Sequence, residues 1–175
     1  MDTMTFDKLL LLTAFCCMAS DGKIDDREVK LIKPLFEKSP LFENLNFKDE
    51  INQLVKQINE QGKGFIQNYF NQLQKTELTE QEELNLIDVA IQTINADEQV
   101  EYAEIKFFKN IRYRLKVDND TILHRFPDIE MYISEDIVTE SFLDKITNQY
   151  LNSTEIPQFE MIRFDTNFLD TKENA

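Results

Sequence analysis

The apolar positions near the start of the chain fall on every side of a helix rather than along one stripe. Phe6, Leu9, Leu10, Thr13 and Cys17 share one face, and Leu11, Leu12, Phe15 and Met18 fill the others. That pattern predicts a helix over about residues 5–19 that is buried on most sides. Asp25 and Glu28 have capping-box spacing and open a helix from about 26 to 38, which Pro34 is expected to kink or end. Phe47, Ile51, Leu54, Val55 and Ile58 recur at helical spacing, break near Gly62 and Gly64, and resume with Phe65, Ile66, Tyr69, Phe70 and Leu73. Thr79 and Glu82 form a second capping box for a helix to about residue 95, with Leu84, Ile87, Ala90, Ile91 and Ile94 inward. Ile105, Phe108, Ile111, Arg112 and Leu115 outline a helix of about four turns. Shorter helices are expected near 119–125 and 139–150, the latter carrying Phe142, Ile146 and Tyr150. Beyond Leu151 the helical period fails. The stretch "IPQFEMIRFDTNFLD" is expected to be a strand-like tail packed on the domain or a partner-binding extension.

The chain also repeats itself. "LTAFCCMASDGKIDDREVKLIKPLF" aligns with "DVAIQTINADEQVEYAEIKFFKNIR", so that Asp21 falls on Asp97, 76 residues later. At that offset Ala14 meets Ala90, Met18 meets Ile94, Ile24 meets Val100, Glu28 meets Glu104, Ile32 meets Phe108 and Leu35 meets Ile111. Each half therefore reads as an apolar helix, an acidic turn and a second helix. Residues 87–95 make an internal helix, so their counterpart at 5–19 is expected to be internal too rather than a cleaved leader. Asp2 and Asp7 would make a poor leader start, and Phe15 before Cys16 spoils a lipoprotein-type site.

Composition narrows the class. A chain of 175 residues with 42% hydrophobic and 30% charged residues can bury roughly 70% of its unfolded surface in one domain. Three Gly and four Pro argue against disorder and for an all-α protein. The expected division is a helical domain over 1–150 and a tail or extension over 151–175. A net charge of -14 disfavours nucleic acid and anionic lipid surfaces. The densest basic stretch, Lys106 to Lys116, reads as a solvated helix face or a contact with the acidic remainder. Adjacent Cys16 and Cys17 cannot bridge without strain, so they are expected to be reduced, buried thiols of a cytoplasmic protein. The first apolar run is too short to span a bilayer.

Two readings compete for "SDGKIDDRE". In the first it is a helix–turn–helix connection, in which Gly22 supplies a permissive backbone and Asp25 and Glu28 cap the next helix. In the second, Asp21, Asp25 and Glu28 hold a hard divalent cation, calcium or magnesium rather than zinc, as do Asp97, Glu101 and Glu104 in the other half. Set on an EF-hand loop, the first two ligand positions would be Cys17 and Ala19, and Glu98 would replace the required glycine of the second copy. Full EF-hands are therefore disfavoured, leaving a calcium-responsive regulator with degenerate half-loops as the alternative reading.

The duplicated motif resembles that of the TerB family, the tellurite-resistance and stress-associated helical domain also found in a membrane-anchored DnaJ-type co-chaperone. Ser20, Asp21, Gly22, Ile24, Asp25 and Glu28 match its signature once, and Ala96, Asp97, Val100, Glu101 and Glu104 match it again. The resemblance covers about residues 5–125. It implies a compact bundle of about seven to eight helices with an internal pseudo-two-fold repeat. It also implies acidic motifs lying near each other as a cation-associated or partner-binding surface, in a bacterial stress-response system without established catalysis. Glu98 departs from the family pattern, and nothing after about residue 126 has a family counterpart.

An enzyme is not expected. His124 stands alone in "TILHRF", and no Gly-rich phosphate loop, nucleophile elbow or Cys–His spacing is present. The expected role is a non-enzymatic binding or scaffold module with protein partners.

Overall fold

The computed structural model describes residues 4–38, 46–96, 99–100, 102–133, 147–152 and 155–162. Helix α1, Phe6–Ala19, starts where the Thr5 side chain accepts the Lys8 N–H. It is buried on most sides as its pattern predicts, with Leu9, Leu11 and every residue from Thr13 to Ala19 shielded from solvent. Helix α2, Asp26–Glu37, opens on the Asp25–Glu28 capping box. It continues through Pro34 instead of ending there. Proline removes one backbone donor, and buried Ile32 and Phe36 on either side of it hold the helix to the core.

Helix α3, Phe47–Gln61, gives way to α4, Lys63–Lys75, at Gly62. Gly62 has φ 55, in the left-handed region that favours glycine, whereas Gly64 lies inside α4. The break is thus one residue wide. Helix α5, Glu80–Ile94, opens on the Thr79–Glu82 capping box. Helix α6, Tyr102–Arg112, is about a turn shorter than its apolar period suggests, because buried Leu115 and Val117 sit in the connection after it. Helix α7, Asn119–Arg125, is capped by Asp118, and a 3-10 turn at Pro127–Ile129 leads into α8, Glu130–Ile133. Residues 147–152 are helical. The remainder of the helix expected over 139–150, with Phe142 and Ile146, lies outside the described residues.

All these elements form one all-helical bundle. Helices α1 and α5 pack together more extensively than any other pair. Each second helix of a half then packs on the first helix of the other, α2 on α5 and α6 on α1. This is the arrangement a pseudo-two-fold repeat requires. The α3–α4 pair sits between the halves, with α4 against α1 and α6. The symmetry is imperfect: Ile111 is fully buried but its counterpart Leu35 is 37% exposed. Helix α6 packs on α4 and α8 as well as on α1 and α5, whereas α2 packs mainly on α1 and α5.

An aromatic cluster closes the α4–α6 side. Phe107, one position away from the anticipated inner face, stacks on Phe70 at 5.3 Å and on Tyr69 at 6.0 Å, and Tyr150 lies 5.8 Å from it. The Arg114 guanidinium lies over the Phe70 ring at 4.2 Å and donates to Thr147 Oγ1, which in turn donates to buried Asn110. Part of the basic stretch is therefore a structural tie to segment 147–152 rather than a solvated face. Glu83 is a second buried polar tie. At 4% exposure its carboxylate accepts the N–H groups of Lys116, at 2.9 Å, and Val117, at 2.7 Å.

Removing that carboxylate would strand the buried Val117 donor and deprive the Lys116 N–H of its partner. Glu83→Ala is expected to cost on the order of 3 kcal/mol of stability, measured by urea unfolding. A loss within about 0.5 kcal/mol, the range of ordinary surface changes, would show that the tie is not formed in solution.

Candidate functional site

The first acidic motif is built by the end of α1. Ser20 N–H and Oγ both reach Cys17 O, at 3.3 and 2.7 Å, and Gly22 N–H reaches Ala19 O. Gly22 then takes φ 83, the left-handed conformation that ends helices most cheaply at glycine. Asp21 accepts the Lys23 N–H at 2.8 Å, a short turn closed by its own side chain. Asp25 accepts the Arg27 N–H at 2.8 Å and is also gripped by the Arg27 guanidinium through Nε and Nη2. Glu28 Oε2 accepts the Asp25 N–H at 2.9 Å. Each of the three acids thus serves the turn or the cap, and the Glu28 side chain is 2% exposed.

The described part of the second motif begins in the same way. Ala96 N–H reaches Thr93 O at 3.2 Å, the same bond, 76 residues later, that Ser20 makes to Cys17. Glu104 is fully buried like Glu28. Both glutamates come from the first turn of a second helix, and the charge of both is felt at the Cys17 thiol. The two halves thus bring their closing acids into one buried region beneath α1. Asp97 and Glu101 lie outside the described residues. Symmetry fails at the apolar residue between the acids: Ile24 packs against the core, whereas Val100 is 37% exposed.

Burial raises the Cys17 thiol well above its ordinary value, helped by Cys16, Glu104 and Glu28. Burial alone raises Cys16 likewise. Both thiols are free and buried, and neither has the thiolate character that reactive cysteine needs. Tyr69 lies in the same region, its phenol raised chiefly by burial. Its hydroxyl bonds Thr13 Oγ1 at 2.9 Å while Thr13 donates to Leu9 O. His124 is exposed.

Among the described residues no three His, Cys, Asp or Glu side chains converge as metal ligands would. In the first motif each acid answers a different local donor, as a capped turn requires. Compared with family models, curated proteins and solved structures, the chain gives no match.

Sequence reasoning missed the residues that hold segment 158–162 in place. Asn59 accepts the Phe159 N–H at 2.7 Å and donates to Phe159 O at 2.8 Å. Asn52 makes the same pair with Ile162, at 2.9 and 3.4 Å. The available signal was an asparagine at the same heptad position twice on α3, each following a core isoleucine, Ile51 and Ile58.

The side-chain hydrogen bond from Arg27, followed by its backbone N–H, holds the Asp25 carboxyl below its ordinary value, with burial opposing. A carboxyl lowered on folding contributes stability that is present above its unfolded pKa and lost as pH falls through the folded value. The pair is exposed, so the contribution is small. In an NMR titration Asp25 is expected to titrate below about 3.9 and to move back toward that value in Arg27→Ala. A midpoint unchanged by the substitution would mean that the pair does not form in solution.

Proposed function

We propose that the chain is a non-enzymatic, TerB-like binding module of a bacterial stress-response system, whose paired acidic turns receive a basic surface on a partner protein or a divalent cation. The observation that carries this reading is the repetition of the motif in three dimensions. The same turn bond, the same buried closing glutamate and the same cross-packed second helix occur in both halves. A signature matched once is a weak guide, but one matched twice at equivalent places in a two-fold bundle supports the family resemblance. The closing glutamates Glu28 and Glu104 serve the fold in this reading, and Asp21 and Asp25, together with Asp97 and Glu101 of the second motif, provide the recognition surface. The net charge of -14 supports a basic partner, since complementary charge steers encounter and selects partners.

Thermal unfolding of chelator-stripped protein tests the reading. Calcium, magnesium, manganese and zinc, and separately an oligolysine peptide, are added to the natural chain and to an Asp21→Ala, Asp97→Ala double variant. A ligand at one hundred times its dissociation constant adds about 2.7 kcal/mol, which for a chain of this size raises the midpoint by roughly 5–11 °C. The expected result is a rise with at least one of these ligands that is lost in the double variant. A flat response to all of them would overturn the acidic-surface reading.

A further inference from the structure

Residues 155–162 form neither helix nor strand, yet they are held to α3 by a pattern that belongs to strands. A carboxamide carries one acceptor and one donor group side by side, so an asparagine can pair with both the N–H and the C=O of one residue, as a neighbouring β-strand does. Asn59 does this to Phe159 and Asn52 to Ile162. Gln158 adds a bond from its Nε2 to Asn59 O at 3.1 Å.

The two clamps have matched spacings. Asn52 and Asn59 are seven residues apart, which on a helix is two turns and a rise of about 10.5 Å. Phe159 and Ile162 are three residues apart, which spans about 10 Å only if the chain is nearly fully extended. The strap therefore runs straight along α3 and antiparallel to it. Its recognised side chains are few: Phe159 and Ile162 are buried, at 8% and 7% exposure, and Met161 points out at 53%. Pro157 lies against the first acidic turn, 3.7 Å from where a Cβ on Gly22 would stand, and residues 158–162 share a cleft with Gly22, Ile24 and Asp26.

Main-chain clamping with two side-chain anchors is the chemistry of an extended-peptide receptor. We propose that the face formed by α3 and the first acidic turn is a binding site for an extended peptide of the pattern Pro-x-Phe-x-x-Ile. Residues 157–162 are its resident ligand in cis, and a partner protein's segment of the same pattern replaces them. The chain's own strap keeps the site closed, because a tethered ligand acts at an effective concentration in the millimolar range for short flexible tethers. A competitor then sees an affinity reduced by the fraction of molecules that are open. This site needs neither a cation nor the family resemblance, so it stands or falls separately from the acidic-surface reading.

The probe is a fluorescein-labelled synthetic peptide with the sequence of residues 155–162, titrated by anisotropy into three full-length chains. These are the natural chain, a Phe159→Ser, Ile162→Ser variant with a weakened strap, and that variant carrying Asn52→Leu and Asn59→Leu as well. The proposal expects binding to the weakened-strap chain at least ten-fold tighter than to the natural one, abolished by the asparagine changes. No binding to a folded weakened-strap chain, or equal binding to all three, overturns it. A doubled mass on light scattering that excess peptide does not reduce also overturns it, in favour of strap exchange between two copies. Should the strap variant fail to fold, native-state hydrogen exchange on the unaltered chain decides. Phe159 and Ile162 amides that exchange well before those of α1 and α5 show a separable strap, and amides that open only with the whole molecule overturn the proposal.

Discussion

The contact on which the rest of the molecule depends is the packing of α1 against α5. Helix α1 is buried on most sides and α5 keeps a polar stripe of Gln81, Asn85, Asp88 and Gln92 toward solvent, so each must be largely enclosed by others. Placing them side by side creates two equivalent flanks, and α2 and α6 cover those flanks by crossing to the opposite half. The duplicated turn follows from this geometry. A helix that ends in the core needs its last carbonyls satisfied and its chain reversed within a few residues, and both copies use the same backbone bond to begin that reversal. Glu28 and Glu104 then enter the interior from equivalent places and surround Cys17 with charge rather than with solvent.

This arrangement gives the acids of one motif different roles. Glu28 lies inside the bundle and answers a backbone donor at its own helix start. Asp25 is a cap held by Arg27, and Asp21 closes a turn at the surface. The carboxylates of the first motif are thus divided between interior and exterior by the direction of α2. What remains outward is a charged edge beside the strap, so the two proposed recognition surfaces, one acidic and one a main-chain receptor, share the turn around Gly22.

The strap completes the core without belonging to a helix. Phe159 and Ile162 join the same buried cluster as α1 and α5, while their backbone polar groups are answered by two asparagine side chains. Buried N–H and C=O groups must find partners, and asparagine is the shortest side chain that carries an N–H donor and a carbonyl acceptor side by side. The exposed Met161 beside these anchors marks the strap's outer side.

How much of this was legible in the sequence depended on the range of the interaction. Helix positions, both capping boxes, the break at Gly62 and the duplicated turn came from neighbours within about four residues, and the repeat extended that reading to the all-helical bundle. Distant contacts decided the rest: α2 passes through Pro34 with Ile32 and Phe36 held in the core, and α6 stops earlier than its apolar period suggests because Leu115 and Val117 turn inward. Glu83, Asn52, Asn59 and Asn110 look like ordinary polar residues of amphipathic helices, since nothing beside them in the chain names their partners, which lie from 33 to 110 residues away or, for Asn110, partly in segment 147–152. Helices, caps and the two-fold plan could be read along the chain, because these are set by local backbone chemistry and apolar period. The tertiary structure alone decided which acids are buried, which polar residues are ties and what the strap binds, because those outcomes depend on desolvation and on partners that only folding brings within reach.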